Sequence, residues 1–149
     1  MLDESQTWPT VMSPDGTVAY AAGIGGISVI DIATDALIAT ISTGEKTVAS
    51  GLVTSPDGCR VYVAVASTHD GDVDVIDTAT NENIDTIHLG EIPGGITISS
   101  DGGTLYVTDA HHSVIEAIAV ATGAITKWVS VERPGWPNDI PVHTDQVAP

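Results

Sequence analysis

Ser55-Pro56-Asp57-Gly58, followed after Cys59 by the apolar run Arg60-Val61-Tyr62-Val63-Ala64-Val65, decides the fold because the chain contains it three times. Upstream stands Ser13-Pro14-Asp15-Gly16, leading to Val18-Ala19-Tyr20-Ala21-Ala22, and downstream Ser99-Ser100-Asp101-Gly102, leading to Leu105-Tyr106-Val107-Thr108. Asp-Gly suits a tight turn, because Gly accepts positive φ and Asp bonds its own backbone. A polar turn feeding a tyrosine-bearing strand at a spacing of about forty residues is a repeat-array signature.

Around each turn the same order of short strands recurs. In repeat one these are Trp8 to Met12, Val18 to Ala22, Ile27 to Asp31 and Ala36 to Ile41. Repeat two gives Gly51 to Thr54, Arg60 to Val65, Asp72 to Asp77 and Asn83 to Leu89. Repeat three gives Gly95 to Ile98, Thr104 to Thr108, Val114 to Ile118 and Ala124 to Val129. Apolar residues alternate with period two between dense Gly, Pro, Asp and Thr punctuation, which favours strand over helix. Four-stranded units at this period predict an all-β fold of β-propeller blades: three four-stranded antiparallel blades plus the first strand of a fourth. The expected divisions are a disordered lead-in at 1–7, blades at about 8–46, 47–91 and 92–131, and a tail at 132–149. Pro134-Gly135-Trp136 and Ile140-Pro141-Val142 in that tail align with Pro93-Gly94-Gly95 and Ile96-Thr97-Ile98, and this predicts the extra strand.

The matched runs Val29-Ile30-Asp31-Ile32-Ala33-Thr34 and Val75-Ile76-Asp77-Thr78-Ala79-Thr80 agree at five of six positions. Together with the Ser-Pro-Asp-Gly turn and the Tyr-Val strand they resemble the YVTN β-propeller repeat family, over residues 8–131. The resemblance implies a propeller with the first strand of each blade innermost. It also implies an exported or surface-associated setting, extracellular, periplasmic or at the cell surface. The namesake tetrad reads Tyr20-Ala21-Ala22-Gly23, Tyr62-Val63-Ala64-Val65 and Tyr106-Val107-Thr108-Asp109, so its Asn is absent from all three copies.

Composition narrows the function classes. Twenty acidic residues stand against Lys46, Arg60, Lys127 and Arg133, giving a net charge of −16 over 149 residues. Nucleic acid and anionic lipid are therefore poor partners, since phosphates are neutralised by Lys and Arg. No apolar run approaches the roughly 18 residues of a membrane span, which predicts a soluble chain. The acidic start Met1-Leu2-Asp3-Glu4 has neither the basic nor the apolar region of a signal peptide. Cys59 is the only cysteine, which excludes an intrachain disulfide and a thiolate metal site.

No nucleophile motif accompanies the Ser, His and Asp residues, and no phosphate loop follows Gly23-Ile24-Gly25-Gly26. Asp70-Gly71-Asp72-Val73-Asp74 begins like a calcium loop but has Val75 where Gly is needed and Asn81 where Glu is needed. In the propeller winding that the resemblance implies, the loops after each second strand share one face with the links between blades. His69 and Asp70 occupy that loop in repeat two, and Asp109, His111 and His112 in repeat three. These five are the candidate ligand-binding residues, set against the plainer reading as polar loops. No catalytic residue, metal ligand set or cofactor is expected, the alternative being a divalent metal such as Zn²⁺ on those His and Asp side chains.

The expected function is a non-enzymatic propeller module for binding or scaffolding, of proteins or at the cell envelope. The alternatives are a metal-dependent hydrolytic propeller of lactonase or lyase type and a piece of a longer propeller. Propellers close with about four to eight blades, so three blades predict either a dimer completing a ring or the remainder of a longer chain.

Overall fold

The computed structural model describes residues 8–109 and 111–130. The lead-in at 1–7 and the tail at 132–149, with its expected extra strand, lie outside the described residues.

Twelve strands form three antiparallel four-stranded sheets in simple up-and-down order. The first sheet is β1 (Thr10–Met12), β2 (Val18–Gly23), β3 (Gly26–Asp31) and β4 (Ala36–Ser42). The second is β5 (Val48–Thr54), β6 (Arg60–Ala66), β7 (Gly71–Asp77) and β8 (Glu82–His88). The third is β9 (Pro93–Ile98), β10 (Thr104–Asp109), β11 (Val114–Ala119) and β12 (Ile125–Ser130). Among the described residues there is no helix, and so none long and apolar enough to cross a membrane. β5 starts three residues earlier than the sequence suggests. A bulge at Ser50, between Ala49 and Gly51, lets the strand continue past the glycine and keep its pairing with β6.

Each turn between first and second strands uses one set of bonds. Ser55 Oγ donates to Asp57 Oδ1 at 2.6 Å, and the same oxygen accepts the Cys59 amide at 2.9 Å. Ser55 Oγ in turn accepts the Arg60 amide at 3.0 Å. Ser13 and Asp15 repeat this with the amides of Thr17 and Val18, and Ser99 and Asp101 with those of Gly103 and Thr104. Gly58 and Gly102 close their turns at φ +75° and +76°, where an L side chain is strained. A Cβ on Gly102 would also meet Pro56 Cδ at 3.2 Å, so successive turns stack along one rim.

Alternation along the strands sends one face of each sheet toward the preceding sheet and the other toward the next. Tyr20, Ala22, Ile27 and Val29 of the first sheet pack with Val61, Val63, Val65 and Ile76 of the second. Tyr62, Val73 and Val75, on the opposite face of the second sheet, pack with Leu105, Val107 and Ile118 of the third. The innermost contacts run between β5 and its neighbours β1 and β9. The sheets are thus stacked face to face like propeller blades, and two blade boundaries hold the apolar core.

The turn carboxylates link this fold to pH. Asp15 is lowered from 3.8 to about 2 by the side chains of Thr17 and Ser13 and then by the Thr17 amide. Asp57 and Asp101 are also lowered, first by the hydroxyls of Ser55 and Ser99 and then by the amides of Cys59 and Gly103. A depressed carboxylate contributes stability that is present above its unfolded value and lost as the pH falls through its folded value. The triple variant Asp15→Ala/Asp57→Ala/Asp101→Ala should therefore unfold at lower urea than the parent at pH 7. The gap between the two midpoints should close as the pH falls from about 4 to about 2. A gap unchanged over that range would show that these carboxylates do not act through their charge.

Candidate functional site

The rim opposite the stacked turns is where β10 ends and the blades are linked. Asp109 is the last residue of β10, on the buried side that Leu105 and Val107 share, while Tyr106 and Thr108 point the other way. Its Oδ1 accepts the backbone amides of His111 at 2.7 Å and His112 at 3.2 Å, folding the loop over the carboxylate. Its Oδ2 lies 2.8 Å from His112 Nδ1. Ser113, at φ +54°, turns the chain back into β11.

A third group arrives from the link between β8 and β9. The Leu89 amide donates to the Gly71 carbonyl at 2.9 Å, which draws the link against the start of β7. That approach requires glycine, because a Cβ on Gly71 would lie 2.1 Å from Pro93 Cδ and 2.7 Å from the Glu91 carbonyl oxygen. Glu91 is thereby set beside the loop, with Oε2 3.7 Å from His112 Nδ1. One ligand atom each from Glu91, Asp109 and His112 lies within 4.8 Å of the others.

Charge and burial shift these groups in opposite senses. Burial alone would raise Asp109, but the His111 amide and the His112 side chain and amide outweigh it and hold the carboxyl below its ordinary value. His112 is raised, first by its hydrogen bond to Asp109, then by that carboxylate's charge and by that of Glu91. Behind them stands Glu116 of β11, paired across the ladder with Val107 and only 2% exposed. Its Oε2 has no hydrogen-bond partner among the described residues. Burial, then the charges of Asp109 and Glu91, push its carboxyl upward.

Of the five residues singled out by sequence, Asp109 and His112 come together. His111 lends its backbone amide to Asp109, and its ring meets that of His112 edge to face at 6.5 Å. His69 is exposed in the equivalent loop of the second sheet, where the Ser67 hydroxyl donates to Asp70. Neither His69 nor Asp70 belongs to the group that Asp109 and His112 form with Glu91. Sequence reasoning missed Glu91 and Glu116. Glu91 was findable as the acid in a link that shares a rim with the loop, and Glu116 as an acid at an inward position of an apolar strand. Asp74 holds the same position in β7. It is buried, and burial raises it, but its Oδ1 accepts the Thr86 hydroxyl at 2.9 Å.

A cleft opens on the turn rim, lined among others by Ser55, Asp57, Arg60, Tyr62 and Asp101. Oδ1 of Asp57 and of Asp101 is already engaged in the turns.

Comparison with known proteins places the fold. No family model matches the chain. The seven-bladed beta-propeller protein Rv1057 of Mycobacterium tuberculosis is 38% identical over 135 residues, an alignment covering 83% of this chain and 32% of that protein. The chain therefore spans about a third of the length of the curated relative it matches. Among solved structures, hydrazine synthase of Kuenenia stuttgartiensis superposes with a TM-score of 0.75 at 22% identity, over 88% of this chain and 40% of that one. At that identity the likeness is one of fold. The protein is a β-propeller module, three blades of an all-β array.

The packing at Gly71 gives a direct test of how the linker rim is built. Gly71→Ala forces backbone and the Pro93 ring apart, and overpacking of this kind costs about 2 kcal/mol or more. The expected result is a lower urea midpoint at unchanged m-value. A midpoint equal to the parent's would mean that the link is not held against β7.

Proposed function

We propose that this chain is a non-enzymatic propeller module of YVTN type that works by association, its two end faces receiving further blades. The observation that carries the reading is the fate of three equivalent tyrosines. Tyr20 and Tyr62 are 3% and 4% exposed because the next blade covers them, whereas Tyr106 is 42% exposed.

The opposite end is open in a complementary way. Met12, Ala19, Ile30 and Leu37 form one apolar row across β1 to β4, on the face turned away from the second blade. Met12 and Leu37 are exposed and Ile30 is half-buried, whereas Ile76 and Ile118, which hold the place of Ile30 in the later blades, are fully buried. Those later rows dock on the tyrosine face of the blade before them. The first row therefore has the shape and chemistry to dock on the Tyr106 face of a second copy. Two copies joined head to tail by two such contacts would close a six-bladed ring, within the range of about four to eight blades that propellers adopt. Burial of exposed apolar faces supplies the driving force.

Light scattering coupled to gel filtration tests this reading. The chain, of 15.3 kDa, should run at twice that mass at micromolar concentration and dissociate on dilution. Leu37→Lys or Tyr106→Glu should each return it to the single-chain mass while leaving its strand content intact. A single-chain mass at every concentration would overturn the self-association.

A further inference from the structure

We infer that Glu91, Asp109, His112 and Glu116 form a binding site for a divalent cation of the borderline class, at the rim between the second and third blades. The site is independent of the association proposed above, since all four residues lie within one chain.

The arrangement runs from solvent to interior. His112 and Glu91 are open to water, and the Asp109 side chain is 2% exposed beneath them. Glu116 lies deeper still. It pairs with Val107, two residues before Asp109 on the same face of β10, so the two carboxylates are diagonal neighbours turned toward the same blade boundary.

Three carboxylates gathered at one blade boundary repel one another, and a buried carboxylate oxygen without a partner costs free energy. The ion pairs among the described residues bring no Lys or Arg to any of the four; Arg60 is engaged with Asp77 at 3.3 Å. Among the described residues His112 alone answers the charge, and its Nδ1 contacts Asp109 and Glu91 but leaves Glu116 Oε2 without a partner. A cation would answer both deficits. It would balance the carboxylates and supply the missing partner of Glu116 from the boundary side.

The donor set fixes the class. One imidazole nitrogen with carboxylate oxygens suits Zn²⁺ or Mn²⁺, whereas Ca²⁺ prefers six to eight oxygens and gains little from imidazole. The ligand atoms of Glu91, Asp109 and His112, within 4.8 Å of one another, are already close to the spacing that metal–ligand bonds of about 2.0–2.2 Å impose, and Glu116 stands behind them.

Isothermal titration of the intact chain with ZnCl₂ tests the assignment, with thermal unfolding followed in parallel by circular dichroism. The expected result is one Zn²⁺ per chain and a raised melting temperature. His112→Ala should abolish both effects. Glu116→Gln, which keeps the shape of the side chain and its fold, should weaken binding at least tenfold. His69→Ala, in the equivalent loop of the second blade, should bind as the parent does. No heat in the parent overturns the site, as does Zn²⁺ binding that survives His112→Ala and Glu116→Gln alike. Tighter binding of CaCl₂ than of ZnCl₂ overturns the metal class. The mass of the chain in metal-free buffer is read separately, so neither outcome here bears on the dimer.

Discussion

A blade of four strands has two faces, and neither can be left to water without cost when both carry Val, Ile, Leu and Tyr. That constraint governs the whole molecule. Val61 and Ile76 are fully buried because the first blade covers them, and Leu105 and Ile118 because the second does. Removing either neighbour would expose a row of β-branched and aliphatic side chains, at about 25 cal/mol for each Å² returned to water. Stability in such an array is a sum over neighbouring blades, so the middle blade is covered on both faces and the outer two on one.

The links and turns at the two rims serve this stacking in different ways. On one rim the Ser-Asp turns are self-contained: each bonds its own amides, and the next turn's glycine rests against its proline, as Gly102 does on Pro56. On the other rim the connection is made by close approach, with Gly71 admitting Pro93 and the Leu89 amide tied to the Gly71 carbonyl. The turn rim fixes the strands within a blade, and the linker rim fixes one blade on the next. A polar group placed on the linker rim is therefore held by two blades at once. This is the rigid support that a preorganised ligand set needs.

The sequence made the fold legible because the same physical statement is written three times. Ser-x-Asp-Gly specifies a turn locally, and the alternation in Val18 to Ala22, Arg60 to Val65 and Leu105 to Thr108 specifies a two-faced strand. The site was legible only in part. Asp109 and His112 stand three residues apart, and their meeting follows from one loop. Glu91 is eighteen positions before Asp109 and arrives through the blade link, whose path depends on the absence of a Cβ at Gly71, a packing fact that no local pattern encodes. Glu116 was hidden differently, as an acid in a strand that had merely drifted from the repeat. His69 and Asp70 show the reverse case. They occupy the matching loop in the second blade, but Asp70 turns to Ser67 and His69 to solvent, since Val65 stands there where the third blade has Asp109.

The repeat itself supplies the last step, because it separates what the fold demands from what it merely tolerates. Three residues after each blade's tyrosine stand Gly23, Val65 and Asp109. Just before the residue that faces the tyrosine on the third strand stand Ser28, Asp74 and Glu116. A fold that accepts Gly or Val at the first position has no need of a carboxylate there, and one that accepts Ser at the second has no need of a glutamate. At both positions the third blade departs from the apolar or small choice and places acids at a buried boundary, where each is costly unless answered. In the second blade the one acid, Asp74, is answered by the hydroxyl of Thr86. In the third blade Asp109 is answered by loop amides and His112, and Glu116 Oε2 by nothing among the described residues. Departures from local consistency that carry a cost concentrate where a chain does something besides fold. Here both departures fall on one blade boundary, on one face, beside the one linker glutamate that the close approach at Gly71 delivers.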